Sequence, residues 1–246
     1  MNPSLPSILA RMVRKFELRS PLDDSDREAL LGLPFRVQEL DRGKFVTREG
    51  QASTASALLL SGYAIRHKLT VDGDRQIVSF HVPGDFVDLE ASLLRVSDHN
   101  VQTVTRCEFA FVAVTAVREL LDHHPAIARA VWVDTLVDSS IFREWVLNIG
   151  RRDARARIAH ILCEFARRLE VAGLGSTSGY ELPFTQEQLA DATGLTSVHV
   201  NRTLKSLEAE GLITRNKAFV GFPNWDRLRA VAGFSDLYLH LDQVAA

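Results

Sequence analysis

Residues 185–213 read TQEQLADATGLTSVHVNRTLKSLEAEGLI, and their reading decides the fold. Two segments with apolar residues at helical spacing flank a break at Gly194-Leu195-Thr196. Thr185 is followed three residues on by Gln188, the pattern of a capping box. The first segment then turns Leu189 and Ala192 inward, with the small Ala190 where two helices cross closely. Gly194 supplies the turn, and Thr196 or Ser197 caps the second segment. There Val200, Leu204 and Leu207 form the buried stripe, while Ser197, Val198, Asn201, Arg202 and Lys205 form the exposed one, with His199 at its edge. This is a helix-turn-helix pattern. The stretch ITRNKAFVGFPNW that follows reads as a wing-like two-stranded hairpin with a polar tip at Arg215-Asn216-Lys217.

The residue types on the exposed stripe suit DNA. A helix N-terminus offers partial positive charge and free N–H groups to phosphate. Arg202 has the reach to meet a guanine O6/N7 edge in a major groove. Lys205, Arg215 and Lys217 are phosphate candidates, which position a helix without reading sequence. Glu187, Asp191, Glu208 and Glu210 oppose this reading and lie mainly on the first helix and beyond the recognition turn. The alternative is a ligand-binding module whose C-terminal helical domain binds protein.

The bulk numbers set limits. The chain has 246 residues, 46% hydrophobic and 24% charged, ordinary for one large globular domain or two smaller ones. The net charge is −2, whereas a nucleic-acid-binding domain often has a pI above about 9; a basic face must then occupy a small part of the chain. No apolar run of about 18 residues exists, so no membrane span or membrane partner is expected. The N-terminal stretch is too interrupted by Arg and Lys for a signal peptide, so a cytoplasmic location is expected. Cys107 and Cys163 lie in no metal-binding or CxxC spacing and read as buried thiols; two thiolates also argue against an iron–sulfur cluster.

Along the chain, Ile8, Leu9, Met12, Val13 and Phe16 share one stripe of a short helix running from about Ile8 to Arg19. Asp23, Asp24 and Ser25 are caps for a second, stopped by Gly32 and Pro34. From Phe35 to Val114, short β-branched and aromatic runs alternate with turn signals, including Asp72-Gly73, as in a small barrel or roll. VRELLDHH is a short helix ended before Pro125. Ala126 to Ile149 is a long helix, about 35 Å, apolar on more than one face and stopped by Gly150. A small roll cannot cover so long a helix, so one face is assigned to a partner helix, with Val131, Val137, Ile141 and Trp145 at the dimer contact. A helix beginning near Asp153 follows, then a loop, GLGSTSGYELP. After the hairpin, DRLRAVAGFSDLYLHLDQ is a further helix or two.

Taken in order, GYAIRHKLTVDGDRQIVSFHVPGDFVDL, the long helix, NIGRRDARARIAHILCE and FTQEQLADATGLTSVHVNRTLKSLEAEGLI make the chain resemble the Crp/Fnr family of bacterial transcription regulators over nearly its whole length. The resemblance implies an α+β chain: an N-terminal cyclic-nucleotide-binding-like β-roll of double-stranded jelly-roll type, a long dimerisation helix and a C-terminal winged helix-turn-helix. The corresponding spans are 1–125, 126–150 and 151–246. It also implies a homodimer on palindromic double-stranded DNA, with helix 197–207 in the major groove, and RNA polymerase as a partner. Arg202 and Asn201 match the family's recognition helix. Val198 stands where the family commonly has Glu; it cannot accept from a base amino group but packs against a thymine methyl.

In the family's cyclic-nucleotide receptors a Gly-Glu stretch contacts the ribose, and an Arg with a small hydroxyl residue clamps the phosphate. Here Gly84, Asp85, Phe86, Asp88 and Leu89 match the first stretch. The clamp falls near Ser97, Asp98, His99 and Asn100, where Asp98 would repel a phosphate. The expected effector is therefore a small molecule other than cAMP, or none. No cofactor or metal is expected. The N-terminal cysteine cluster of oxygen-sensing members is absent, and His67 and His81 read as strand or surface histidines rather than haem ligands. Asp85, Asp88, Glu90, Asp98 and His99 cluster in sequence but show no nucleophile–base spacing, so no enzyme is expected.

Overall fold

The computed structural model describes residues 5–241, with side chains from Leu9 onward. The side chain of Ile8, and Asp242 and Gln243 of the final stretch, lie outside the described residues. The elements run in order α1 (Leu5–Glu17), α2 (Asp24–Leu31), β1 (Phe35–Leu40), β2 (Phe45–Thr47), β3 (Ala55–Ser61), β4 (Ala64–Leu69), β5 (Arg75–His81), a 3-10 turn (Leu89–Ser92), β6 (Asn100–Thr103), β7 (Cys107–Ala113), α3 (Val114–His123), α4 (Pro125–Arg151), α5 (Ala154–Val171), β8 (Gly179–Glu181), α6 (Gln186–Thr193), α7 (Ser197–Ala209), β9 (Thr214–Asn216), β10 (Phe219–Gly221), α8 (Trp225–Ala232) and a last 3-10 turn (Leu237–Leu239).

Packing gives two compact units. One holds the residues up to Lys68, Phe80–Ser139 and the chain from His240; the other holds Leu69–Ser79 and Ser140–Leu239. The long helix α4 is thus shared between the units and not set apart as a piece of its own.

Strands β1 to β7 form an antiparallel roll. One sheet runs β1-β7-β3 and the other β2-β6-β4-β5. Strand β7 is the hinge of the first sheet: Phe35 pairs with Val112 and Leu40 with Cys107 on one side, and Ala55 with Ala113 on the other. The strand period of two sorts β3 between two cores. Leu58 and Leu60 join Met12, Phe16, Leu30 and Ile127 on the helical side; Ala57 and Leu59 join Val87, Val101 and Phe109 inside the roll. Full burial of each such leucine contributes about 1.5–3 kcal/mol. The expected cap at Asp23 forms, with Asp23 and Asp26 bonded reciprocally to each other's backbone.

Several boundaries differ from expectation, the first being α1, which spans Leu5–Glu17 and not Ile8 to Arg19. Pro125 does end α3, but it also opens α4, because the first helical position needs no N–H. Gly150 does not stop α4, which runs to Arg151. The break comes instead from Asp153, whose side chain accepts from the Ala156 N–H at 2.8 Å and starts α5. The segment read as loop also contains a strand, β8, which gives the C-terminal sheet the order β8-β10-β9.

Candidate nucleic-acid interface and effector pocket

The capping box at the head of α6 is formed. Thr185 Oγ1 accepts from the Gln188 N–H at 3.1 Å, and the Thr185 N–H donates to Gln188 Oε1 at 2.9 Å. Gly194 ends the helix with φ at 64°, in the left-handed region where a side chain is strained. Thr196, not Ser197, caps α7: its hydroxyl accepts from the His199 N–H at 3.2 Å. Leu189, Ala190 and Ala192 on α6 are buried, as are Val200, Leu204 and Leu207 on α7. Arg157 of α5 donates to the Thr193 carbonyl at 3.0 Å, fixing the end of α6. The turn therefore presents Thr185, Thr196, Ser197, Val198, Arg202 and Lys205 to solvent, with His199 and Asn201 half-buried beside them. Val198 is 80% exposed.

The wing folds at Lys217, which takes a positive φ of 54°. Gly179 on β8 is needed there, because a Cβ would meet the Val220 carbonyl at 2.6 Å. Arg215 lies within β9 and not at the tip, and its guanidinium is 2.9 Å from Glu208. The other acids near the reading face are paired in the same way. Asp191 and Glu187 lie 2.7 and 3.7 Å from Arg75, and Glu210 is bonded to Arg155. Among the described residues no hydrogen bond or ion pair ties the head groups of Arg202, Lys205 or Lys217. The surface carried by α7 and the wing tip is therefore cationic despite the net charge of −2.

This geometry agrees with the comparisons. A model of the Crp-like helix-turn-helix domain matches residues 156–231, and one of the cyclic nucleotide-binding domain matches 37–124. The nitrogen fixation regulation protein FixK of Bradyrhizobium diazoefficiens is 30% identical over 206 residues, covering 82% of this chain and 83% of that protein. The chain belongs to the Crp/Fnr family of transcription regulators. The transcriptional activator protein FnrL of Cereibacter sphaeroides is 28% identical over 85% of this chain and 86% of its own. Among solved structures, FixK2 from Bradyrhizobium japonicum superposes with a TM-score of 0.76 at 23% identity, over 82% of this chain and 100% of that one, which shows the fold. As a Crp/Fnr regulator the chain is a DNA-binding transcription regulator, and its relatives carry regulatory rather than enzymatic names. No helix among the described residues is long and apolar enough to cross a membrane.

The Crp/Fnr roll does not gather the sequence-predicted effector residues into one pocket. Asp88 and Ser97 line a small cavity with Thr47, Ser53, Glu90, Ala91, Leu94 and Val96, with room for about one water. Gly84, Asp85, Phe86 and Leu89 face elsewhere: Gly84 lies against Arg11, Asp85 accepts from Lys15 and from the Val82 N–H, and Phe86 stacks on Phe16. Phe86 and Leu89 pack against the helical core. Asp98 is exposed and bonded to His99, whose other nitrogen is 3.2 Å from Glu90. Asn100 accepts from the Glu49 N–H.

Asp88 is almost fully buried, and burial pushes its carboxyl up to about 6 despite the bonds it accepts from Ala57 N–H and Thr47. The cavity therefore offers carboxylates and hydroxyls but no cation to a phosphate, and these residues do not fit a cyclic nucleotide. His67 and His81 are buried on β4 and β5. Both cysteines are buried and burial raises their pKa values, which disfavours the reactive thiolate.

The dimer residues need correction. Val137, Ile141 and Trp145 are buried within the chain itself, and Val131 is half-buried against the helical core. Trp145 donates to Glu164 of α5 at 3.0 Å. The outward face of α4 is instead Trp132, Leu136 and Val146, which are 70%, 55% and 73% exposed, with Arg143 and Leu147 beside them. The greasy residues of the helix were legible, but which of its apolar sides the chain covers is set by packing.

Proposed function

We propose that two copies of the chain pair along the outward stripe of α4 and bind a palindromic operator, with α7 in successive major grooves. Arg202 reads a guanine, Val198 packs on a thymine methyl, and Thr185, Thr196, Ser197 and Lys217 hold phosphates. The observation that carries this reading is the charge arrangement. All four acids near the reading face are paired with arginines, while Arg202, Lys205 and Lys217 carry no such partner among the described residues. Arg215 acts by holding the wing and not by touching phosphate.

The effector, where one exists, is not a cyclic nucleotide, because the cavity lined by Asp88 and Glu90 lacks a cation. Function in three parts (a roll, a pairing helix and a winged reading head), contact with RNA polymerase and residence in the cytoplasm belong to the same reading. The relatives FnrL and FixK, named as an activator and a regulator, support a role as activator.

The deciding experiment selects bound DNA from a random pool with ligand-free protein, then titrates the selected duplex with Arg202→Ala. Loss of about 1–3 kcal/mol of binding is expected. Tight, salt-dependent binding that survives the substitution removes α7 from the reading role and favours the protein-binding alternative.

A further inference from the structure

The roll-facing side of α4 carries two aspartates one turn apart, Asp134 and Asp138, and each is held by cations from the roll unit. Asp138 lies 2.7 Å from Arg66 of β4. Asp134 lies 2.9 Å from Lys15 of α1 and 3.2 Å from Arg19 in the turn just after it. Arg66 also donates to the Val87 carbonyl at 2.9 Å and sits 3.4 Å from Glu90. Its side chain is only 9% exposed, and that of Arg19 only 8%. Removing either carboxylate takes a short ion-pair partner from a guanidinium that is itself almost fully buried, which is destabilising. These carboxylates are therefore held where they are by the cations of the roll.

Helix geometry turns this into a statement about the opposite face. Residues 134 and 138 share one side of α4, and Trp132 and Leu136 lie about 120–160° around the axis from them. Two ionic rungs on successive turns fix both the rotation and the axial position of the helix. A rotation by half a residue, about 50°, carries Trp132 and Leu136 off any shared seam. Both rungs are direct pairs between side chains of the chain itself.

We propose that Asp134 and Asp138 are positioning residues: through Lys15, Arg19 and Arg66 they set α4 so that its Trp132–Leu136 face meets a second copy without an effector. This rests on the homodimer proposed above. It makes pairing, and the DNA binding that depends on it, constitutive in this chain.

The test uses full-length protein unfolded and refolded in ligand-free buffer. The dimer constant comes from sedimentation equilibrium, and affinity for the selected duplex from anisotropy. Wild type is expected to be dimeric, with cAMP or cGMP changing either constant by less than about twofold. Asp138→Asn is expected to weaken pairing by about tenfold or more, and Asp138→Glu to restore most of it. Phe109→Leu, a core change inside the roll, lowers the melting temperature without moving the dimer constant, which separates positioning from general loss of stability.

An unchanged dimer constant in Asp138→Asn overturns the proposal, as does a wild type that pairs only when cyclic nucleotide is added. Should Asp138→Asn fail to fold, Arg66→Lys carries the test, since one ammonium cannot reach Asp138, Val87 and Glu90 together. Weakened pairing in that variant supports the proposal and unchanged pairing overturns it. A wild type monomeric both with and without ligand overturns the homodimer reading itself, and this inference with it.

Discussion

Arg215 on the first wing strand and Glu208 in the last turn of the recognition helix are joined by two hydrogen bonds, at 2.9 and 3.1 Å. The pair ties the first wing strand to the end of α7. Arg215→Ala and Glu208→Ala should each lower stability by up to about 1 kcal/mol, with a double mutant no worse than either single. Thermal melts of the four proteins in that cycle measure the coupling. Fully additive losses would show that the ion pair does not couple the wing to the helix.

Val198 is exposed at the position where the resemblance to the Crp/Fnr family implies Glu. Val198→Glu places a carboxylate that accepts from a cytosine amino group. The preferred half-site should then change at one base pair, while the position read by Arg202 stays fixed. Pool selection run side by side on the two proteins reports this. An identical half-site from both would mean that residue 198 faces no base.

The two apolar sides of α4 should respond in opposite ways. Leu136→Asp alters an exposed residue, so the fold should survive while sedimentation shows loss of pairing. Ile141→Ala removes a residue that is 6% exposed, so it should cost about 2–5 kcal/mol of stability in the chain itself.

Asp88 gives the roll a pH dependence with a definite direction. Its carboxyl is raised from 3.8 to about 6, so in that interval the folded roll binds more protons than the unfolded chain. The contribution is fully present below the unfolded value and is lost as pH rises through about 6. Across the window the roll should lose up to about 3 kcal/mol from this group. Asp88→Asn keeps both an acceptor for Ala57 and a partner for Thr47, so it should remove that slope and stabilise the roll at neutral pH. Urea titrations between pH 4 and 7.5 compare the slopes; parallel curves for the two proteins would rule Asp88 out as the titrating group.

How much of this could be read in advance depended on the range of the interactions. Thr185 with Gln188, Asp23 with Asp26, and the left-handed turn at Gly194 are settled within four residues, and the structure contains each. Gly150 misled because a glycine with no positive φ is simply helical; the cap at Asp153 marked the break. Strand β8 was hidden in a Gly- and Ser-rich stretch because its pairing partner, β10, lies about forty residues on, beyond any local pattern.

The sequence by itself determined the two helices of the reading head, their caps and the residues that the second helix shows to solvent, because helical period and caps are local properties of the chain. Only the tertiary structure decided which acids are neutralised, where Arg215 points, which side of α4 is left uncovered, and that Arg66 reaches Asp138 from 72 residues away. Those outcomes depend on charges and surfaces brought together by packing, and no local pattern encodes the partner of a buried charge.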